Sequence, residues 1–218
     1  MLKLINSPLL SSVRLYSSKR WLTRQNNDHF VKLAKESDFR ARSCFKLIEI
    51  LDKYNSDFEK LKQIPDGANV LDLGCAPGSW CQVIKQRFPK ANVVGVDLLE
   101  CTPIQSVKLL KGDFTTFEVQ QEILKEFEGK EIDLVVSDMA PSFSGNSTAD
   151  HYHSVHLTEL VLEFTNSHLK NNGNLIFKFL MGGSHQEIML DLRKRFKKVI
   201  NFKPKSSRKE SREIFLFA

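Results

Sequence analysis

The chain has no apolar run approaching the roughly 20 residues needed to cross a bilayer, so no membrane insertion is expected and a soluble protein is. Its four cysteines, Cys44, Cys75, Cys81 and Cys101, show no paired Cys-x-x-Cys spacing and no neighbouring histidines. That excludes a zinc ribbon and suits reduced thiols in an intracellular compartment. No internal repeat or low-complexity stretch suggests a solenoid or a disordered polymer. Acidic residues are missing altogether from the first 27 positions, which carry Lys3, Arg14, Lys19, Arg20 and Arg24 among Leu, Ser, Asn and Ile.

What is present is ordinary for one globular domain. At 218 residues the chain can bury a sizeable core but is short for two. Charged residues make up 27% and apolar residues 41%, so disorder is not expected. A net charge of +6 and a pI near 9.1 favour an anionic partner, although charge alone fixes no function. The acid-free segment 1–27 has the composition of a mitochondrial transit peptide, and Arg14-Leu15-Tyr16-Ser17 is similar to a processing site, which implies cleavage near Tyr16 and a matrix location. The competing reading is a basic arm that stays on and touches RNA.

Residues 28–55 read as helical, with Cys44, Leu47, Ile48 and Leu51 on one stripe. Arg42, Lys46, Glu49 and Lys53 form the opposite stripe, which on general grounds is a solvated face. From residue 68, β-rich runs at 69–73, 92–98, 107–110, 132–137, 174–180, 198–202 and 214–217 alternate with helical patterns at 80–87, 119–127, 154–169 and 185–196. This alternation predicts a largely parallel sheet covered on both faces. Residues 203–212 are too few for a helical crossover, so the last two strands are expected to form an antiparallel hairpin. The predicted fold class is therefore α/β, a Rossmann-like class I methyltransferase fold with a seven-stranded, mostly parallel sheet. A single domain is expected over 28–218, with 28–55 facing the substrate.

Val70-Leu71-Asp72-Leu73 runs into Gly74-Cys75-Ala76-Pro77-Gly78-Ser79-Trp80 and then a helix. A strand, a turn of small residues and a helix N-terminus form the crevice where α/β sheets bind nucleotides. The GxxxG spacing, rather than GxGxxG, suits a cofactor without a pyrophosphate. Asp97 ends the second strand, where it can accept from both ribose hydroxyls. Asp113 ends the third and could accept from an adenine amino group, with Phe114 as the neighbouring apolar side chain. The bland alternative is that both aspartates only cap turns.

The fourth strand ends Ser137-Asp138-Met139-Ala140-Pro141, the fifth carries Lys178 inside an apolar run, and the last opens Ser211-Arg212-Glu213. A lysine in a buried strand must find a partner or lose its charge. With Arg40-Ala41-Arg42-Ser43-Cys44-Phe45-Lys46-Leu47-Ile48-Glu49-Ile50, Leu71-Asp72-Leu73-Gly74-Cys75-Ala76-Pro77-Gly78, Phe177-Lys178 and Lys205-Ser206-Ser207-Arg208, the sequence resembles the FtsJ-type ribosomal RNA 2′-O-methyltransferases over residues 30–218. The resemblance implies S-adenosyl-L-methionine as cofactor, ribosomal RNA or a pre-ribosomal large subunit as partner, and no metal. It carries a catalytic tetrad onto Lys46, Asp138, Lys178 and Glu213. It carries cofactor contacts onto Gly78, Ser79, Trp80, Asp97, Asp113 and Asp138, in a turn that also includes Gly74 and Pro77.

In-line methyl transfer to a hydroxyl gains mostly from alignment and from help in losing the hydroxyl proton. Lys178 is the candidate proton acceptor, Asp138 its orienter, Lys46 its positive neighbour, and Glu213 the group that holds Lys46 or the ribose. The bland reading is a buried Lys178–Asp138 pair with Lys46 and Glu213 merely solvated. With the leader, the resemblance points to a uridine in the peptidyl-transferase region of mitochondrial large-subunit RNA. Lys32, Lys35, Arg40, Arg42, Lys46 and Lys53 on one side, and Lys203, Lys205, Arg208, Lys209 and Arg212 on the other, would clamp phosphates.

Two positions depart from the commonest family pattern: Ser142, where asparagine is frequent, and Ser79, where a second glycine is frequent. His151, His153 and His156 lack the companions of a metal site and read as helix-start or surface residues. Asn146-Ser147-Thr148 matches a glycosylation signal by chance if the chain is imported. The alternatives are an assembly factor whose methyltransferase activity is dispensable, and a nicotinamide-dependent oxidoreductase, which the GxxxG turn disfavours. A monomer is expected.

Overall fold

The computed structural model describes residues 23, 26–57, 64–141 and 144–218. The leader up to residue 22 and Ser142 therefore fall outside the described residues. Seven strands, β1 Asn69–Leu73, β2 Asn92–Asp97, β3 Val107–Lys111, β4 Ile132–Ser137, β5 Leu169–Leu180, β6 Ile200–Phe202 and β7 Glu213–Phe217, form one sheet. Its order is β3-β2-β1-β4-β5-β7-β6. β1 lies parallel to β2 and β4, as β3 does to β2 and β5 to β4. β7 runs antiparallel to both β5 and β6. The expected mixed sheet and its terminal hairpin are thus present.

Helices α1 His29–Glu36, α2 Cys44–Asp57, α3 Ser79–Arg87, α4 Phe117–Glu126, α5 Ser147–His168 and α6 His185–Arg195 supply the covering layers. Alternate strand residues point to opposite faces. Val70, Leu134, Ile176 and Phe215 pack with Leu47 and Leu51 of α2 and Val83 and Ile84 of α3. Leu71, Val135 and Phe177 pack with Ile123 of α4, Phe164 of α5 and Leu192 of α6. β1 is buried along its whole length, as a central strand covered on both faces must be. The strand order turns back at β1, whose neighbours are β2 and β4, and this opens a crevice beyond their carboxyl ends.

Three departures from the sequence pattern exceed two residues. Residues 28–55 form two helices rather than one, because Ser37 caps α1 and Asp38 adopts a left-handed conformation (φ 58°). Asp28 starts α1 by accepting the amide of Phe30. α5 begins at Ser147, ahead of the predicted 154, since Asn146 accepts from the amides of Thr148 and Ala149. Its first turns are too polar to show an apolar stripe, so periodicity is silent there. β5 extends back to Leu169 through a register irregularity between Ile132 and Leu134. Asn171-Asn172-Gly173 there has the look of a turn.

Candidate active site

Gly74 (φ 73°) and Gly78 (φ 103°) both require left-handed backbone in the turn after β1. A Cβ on Gly74 would lie 1.9 Å from Cγ of Met139, so this glycine lets the segment after β4 lie against the turn. Gly78 precedes α3 without a side-chain cap. The first amides of that helix, from Ser79 on, therefore point into the crevice without helical acceptors. The turn is fastened from the 37–43 segment: Arg40 donates to the carbonyls of Pro77, Thr102 and Pro103. Ser43 and Ser79 hydroxyls lie 2.7 Å apart, and the Trp80 indole donates to the carbonyl of Ser43. Ser79 is thus accommodated, but its side chain and that of Trp80 turn inward. Only their backbone can face a ligand.

Asp97 and Asp113 stand at the carboxyl ends of adjacent strands. Asp97 accepts from the amides of Ala76 and Leu99, and Asp113 from the amide and hydroxyl of Thr115. Both do cap turns; each oxygen of Asp97 keeps a further lone pair for a ligand, and Asp113 keeps its Oδ2, since both bonds from Thr115 go to Oδ1. Phe114 differs from expectation: it is 7% exposed and packed edge-on against Phe164, so it is a core residue and offers no free ring face. Leu98 (67%) and Leu99 (68%) are exposed apolar side chains at this edge; the sequence pattern assigns Leu98 to a strand end and gives Leu99 no role.

The four candidate catalytic residues meet. Parallel pairing of Ser137 with Phe177 brings the next residues, Asp138 and Lys178, side by side. Antiparallel pairing of Lys178 with Phe215 puts Glu213, two residues earlier, on the same face. Lys46 reaches this face from the first turn of α2. Lys178 Nζ lies 3.1 Å from Asp138 Oδ1 and donates to the Asp138 carbonyl at 2.5 Å. Lys46 Nζ lies 3.3 Å from the same Oδ1 and 3.1 Å from Glu213 Oε2. The side chains of the four are 9–17% exposed, too dry for unpaired charges yet open at one edge. Burial alone would raise the Glu213 carboxyl, but Lys46, the Ser207 hydroxyl and Lys178 together outweigh it and hold the carboxyl below its ordinary value. Lys46 and Glu213 are not solvated here, contrary to the bland reading.

Sequence reasoning missed several partners. Asp72, beneath the turn, is buried, accepts from the Cys81 thiol, and is pushed up to about 7 by burial with Asp138 and Asp97 nearby. Cys75 and Cys101 sulfurs lie 3.7 Å apart, and all four cysteines are free thiols. Burial pushes the Cys101 thiol up to about 12, which makes it a poor nucleophile. Arg40 and Arg42 are engaged internally rather than offered to phosphate, Arg42 with Asp28 and the Ser206 carbonyl. Lys32, Lys35, Lys205, Lys209 and Arg212 remain exposed. His151 packs against Gly182 and accepts from the amide of Ser184, while His153 and His156 are exposed. Clefts of about 690 and 580 Å³ open at the opposite, amino-terminal edge of the sheet, around Asn171 and Glu128. The chemistry is placed at the carboxyl edge because the ionisable cluster is there.

A sequence model of the FtsJ-like methyltransferases matches residues 39–218. The chain belongs to the FtsJ-like methyltransferase family. It is 42% identical over 207 residues to ribosomal RNA large subunit methyltransferase E of Bordetella pertussis, covering 92% of this chain and 95% of the relative. The protein of that name from Methylobacillus flagellatus is 42% identical over 201 residues, covering 92% and 94%. A Plasmodium falciparum structure described as that of a ribosomal RNA methyltransferase superimposes with a TM-score of 0.73 at 31% identity, over 83% of this chain and 97% of the other.

S-adenosyl-L-methionine is the cofactor expected of this FtsJ-like chain, and the residues present fit it. Small residues line the turn, helix amides face the crevice, and Asp97 and Asp113 flank it from successive strands.

Proposed function

We propose that the chain methylates the 2′-hydroxyl of a ribose in ribosomal RNA, at a uridine of the mitochondrial large subunit during ribosome biogenesis. The observation that carries this reading is the junction of Lys178, Asp138, Lys46 and Glu213 beside the turn after β1. When bound, S-adenosyl-L-methionine supplies a methyl group on a cationic sulfur, open to in-line attack. Asp97, Asp113 and the α3 amides would hold it. Two acceptors on Asp138 fix the direction of Lys178 Nζ; the ammonium first gives a proton to solvent, and the free amine so formed takes the proton of the ribose hydroxyl. Lys46 shares the Asp138 carboxylate, and Glu213 anchors Lys46 and screens its charge. Exposed Lys205 and Lys209 on one side and Lys32 and Lys35 on the other would steer phosphates toward this edge.

In the same proposal residues 1–27 are a transit peptide cleaved near Tyr16, and residues 28–218 work in the mitochondrial matrix as one monomeric methyltransferase domain. The acid-free, basic composition of the leader supports import. Mapping ribose methylation across mitochondrial ribosomal RNA, with and without this protein, tests the activity. Loss of methylation at one uridine of the large subunit is the expected result, and an unchanged map would remove the reading. Sequencing the mature N-terminus tests import, which an intact Met1 would refute.

A further inference from the structure

Loops usually ride on the surface and take their conformation from local turns. The segment 203–212, between β6 and β7, has two such turns, Ser207 to Pro204 and Ser211 to Arg208, but it is also held from outside. Pro204, Ser206 and Ser207 in its first half are buried; the Ser207 hydroxyl turns to the Glu213 carboxylate, and the Ser206 hydroxyl finds no hydrogen-bond partner among the described residues. What fastens it is the carboxylate of Glu49 on α2. Glu49 Oε2 accepts from the amide of Lys205 at 2.5 Å and Oε1 from the amide of Ser206 at 2.8 Å. A carboxylate spanning two successive amides makes two charge-assisted bonds and fixes both position and orientation of the backbone. Arg42, at the entrance to the same helix, takes the Ser206 carbonyl and is itself held by Asp28, which also lies 3.5 Å from Arg208. At the far end, Lys203 donates to the carbonyl of Ser211, and the Ser211 hydroxyl accepts from the amide of Glu213.

Glu49 stands one helical turn after Lys46, so the two project from the same side of α2. The links close a ring: Lys46 along α2 to Glu49, across to Lys205 and Ser206, along the loop to Glu213, and back to Lys46 at 3.1 Å. We propose that Glu49 is a positioning residue for the transfer reaction. It touches no reacting atom, but it sets where the loop delivers Glu213 to Lys46 and where it presents Lys205 to RNA. This rests on the methyltransferase reading above. The cofactor turn is tied down separately, by Arg40, so cofactor binding should not depend on Glu49.

The test compares the full-length wild-type protein with Glu49→Ala and Glu49→Gln, assayed on ribosomal RNA with S-adenosyl-L-methionine. Glu49→Ala is expected to lower kcat about 10-fold and raise KM for RNA several-fold, since misplacement of a site by an ångström costs on the order of 100-fold. KM for the cofactor should stay within two-fold. Glu49→Gln keeps one carbonyl acceptor and should recover part of the loss, giving the order Glu, Gln, Ala. Hydrogen exchange at the amides of Lys205 and Ser206 should rise in both variants. Wild-type values of kcat and RNA KM in Glu49→Ala would overturn the proposal, as would equal losses in RNA and cofactor binding with no rescue by glutamine. If the wild-type protein itself leaves ribosomal RNA unmethylated, the functional reading fails. The clamp is then judged by exchange alone, and unchanged protection in Glu49→Gln would overturn it.

Discussion

Between the sheet and α4, α5 and α6 lie Leu71, Ile123, Phe127, Val135, Phe164, Phe177 and Leu192, an almost wholly hydrocarbon layer. Between the sheet and α2 and α3 the hydrocarbon of Leu47, Leu51, Val83 and Ile84 is joined by other material: thiols of Cys44, Cys75 and Cys81, the Trp80 ring, and at the carboxyl edge Asp72, Lys178 and Glu213 with Lys46. The first layer can be replaced by any set of side chains of similar volume, because dispersion and burial are not directional. The second cannot, because each buried charge needs its particular partner in place. One layer holds the molecule together, and the other also holds the chemistry.

The sharpest way to separate the two is to cut each once. Lys178→Ala is expected to lower kcat by two to four orders of magnitude, the usual worth of a positioned acid or base. Affinity for S-adenosyl-L-methionine by calorimetry should stay within a few-fold, because Asp97, Asp113 and α3 are untouched. Near-normal turnover would take Lys178 out of the mechanism. Phe127→Ala cuts the other layer, where the ring is fully buried. It should cost about 3–5 kcal/mol in urea unfolding, while kcat per folded molecule stays at the wild-type value. A matching fall in kcat would mean that the layers are coupled.

Gly74 sits where the two layers meet, so its substitution should mix both effects. Gly74→Ala puts a Cβ into left-handed backbone and against Met139, the neighbour of Asp138. A loss of about 1–3 kcal/mol is expected from backbone strain and overpacking. A drop in kcat should accompany it as Asp138 shifts away from Lys178. Unfolding curves and turnover on the same preparation check this, and lost stability with full turnover would show that Met139 yields without moving Asp138.

The hydrocarbon layer was the legible one. Apolar strand runs such as the one through Leu71 and period-3.6 stripes such as Ile123 and Phe127 report burial directly, and the terminal antiparallel hairpin follows from its short connection. Lys178 inside an apolar run is a local anomaly that one sequence displays, whereas Lys46, Asp138 and Glu213 joined it as candidates only through the resemblance to the FtsJ-type family. Partners joined across long sequence separations were not legible. Glu49 and Arg42 lie on a charged stripe that looks like any solvated face, and only the folded chain shows Glu49 meeting Lys205 and Ser206. The direction of the Phe114 ring was not legible either: beside Asp113 in sequence, it turns inward to Phe164. The break at Asp38 escaped for a third reason, because apolar periodicity passes through a short turn without registering it.

The smallest expected effect concerns the charge of the functional layer itself. Asp72 shares the face of Val70, and burial raises its carboxyl to about 7 in the folded protein. The unfolded chain titrates near the ordinary value of about 3.9, so between roughly pH 4 and 7 the native state binds the extra proton. The stability from that proton is fully present below the unfolded value and is lost as pH rises through the folded one. Glu213 has the opposite sign: its carboxyl is held low, so its contribution is present above its ordinary value and lost as pH falls. From pH 5 to pH 8 the Asp72 contribution should dominate, and wild-type stability should decline by about 1–3 kcal/mol. Asp72→Asn keeps a carbonyl oxygen for the Cys81 thiol but cannot ionise, so its profile should be flatter and the variant more stable than wild type at pH 8. Urea midpoints at pH 5 and pH 8 measure both. An equal slope in the two proteins would mean that the pH dependence arises elsewhere and that Asp72 carries its charge at no cost beneath the crevice.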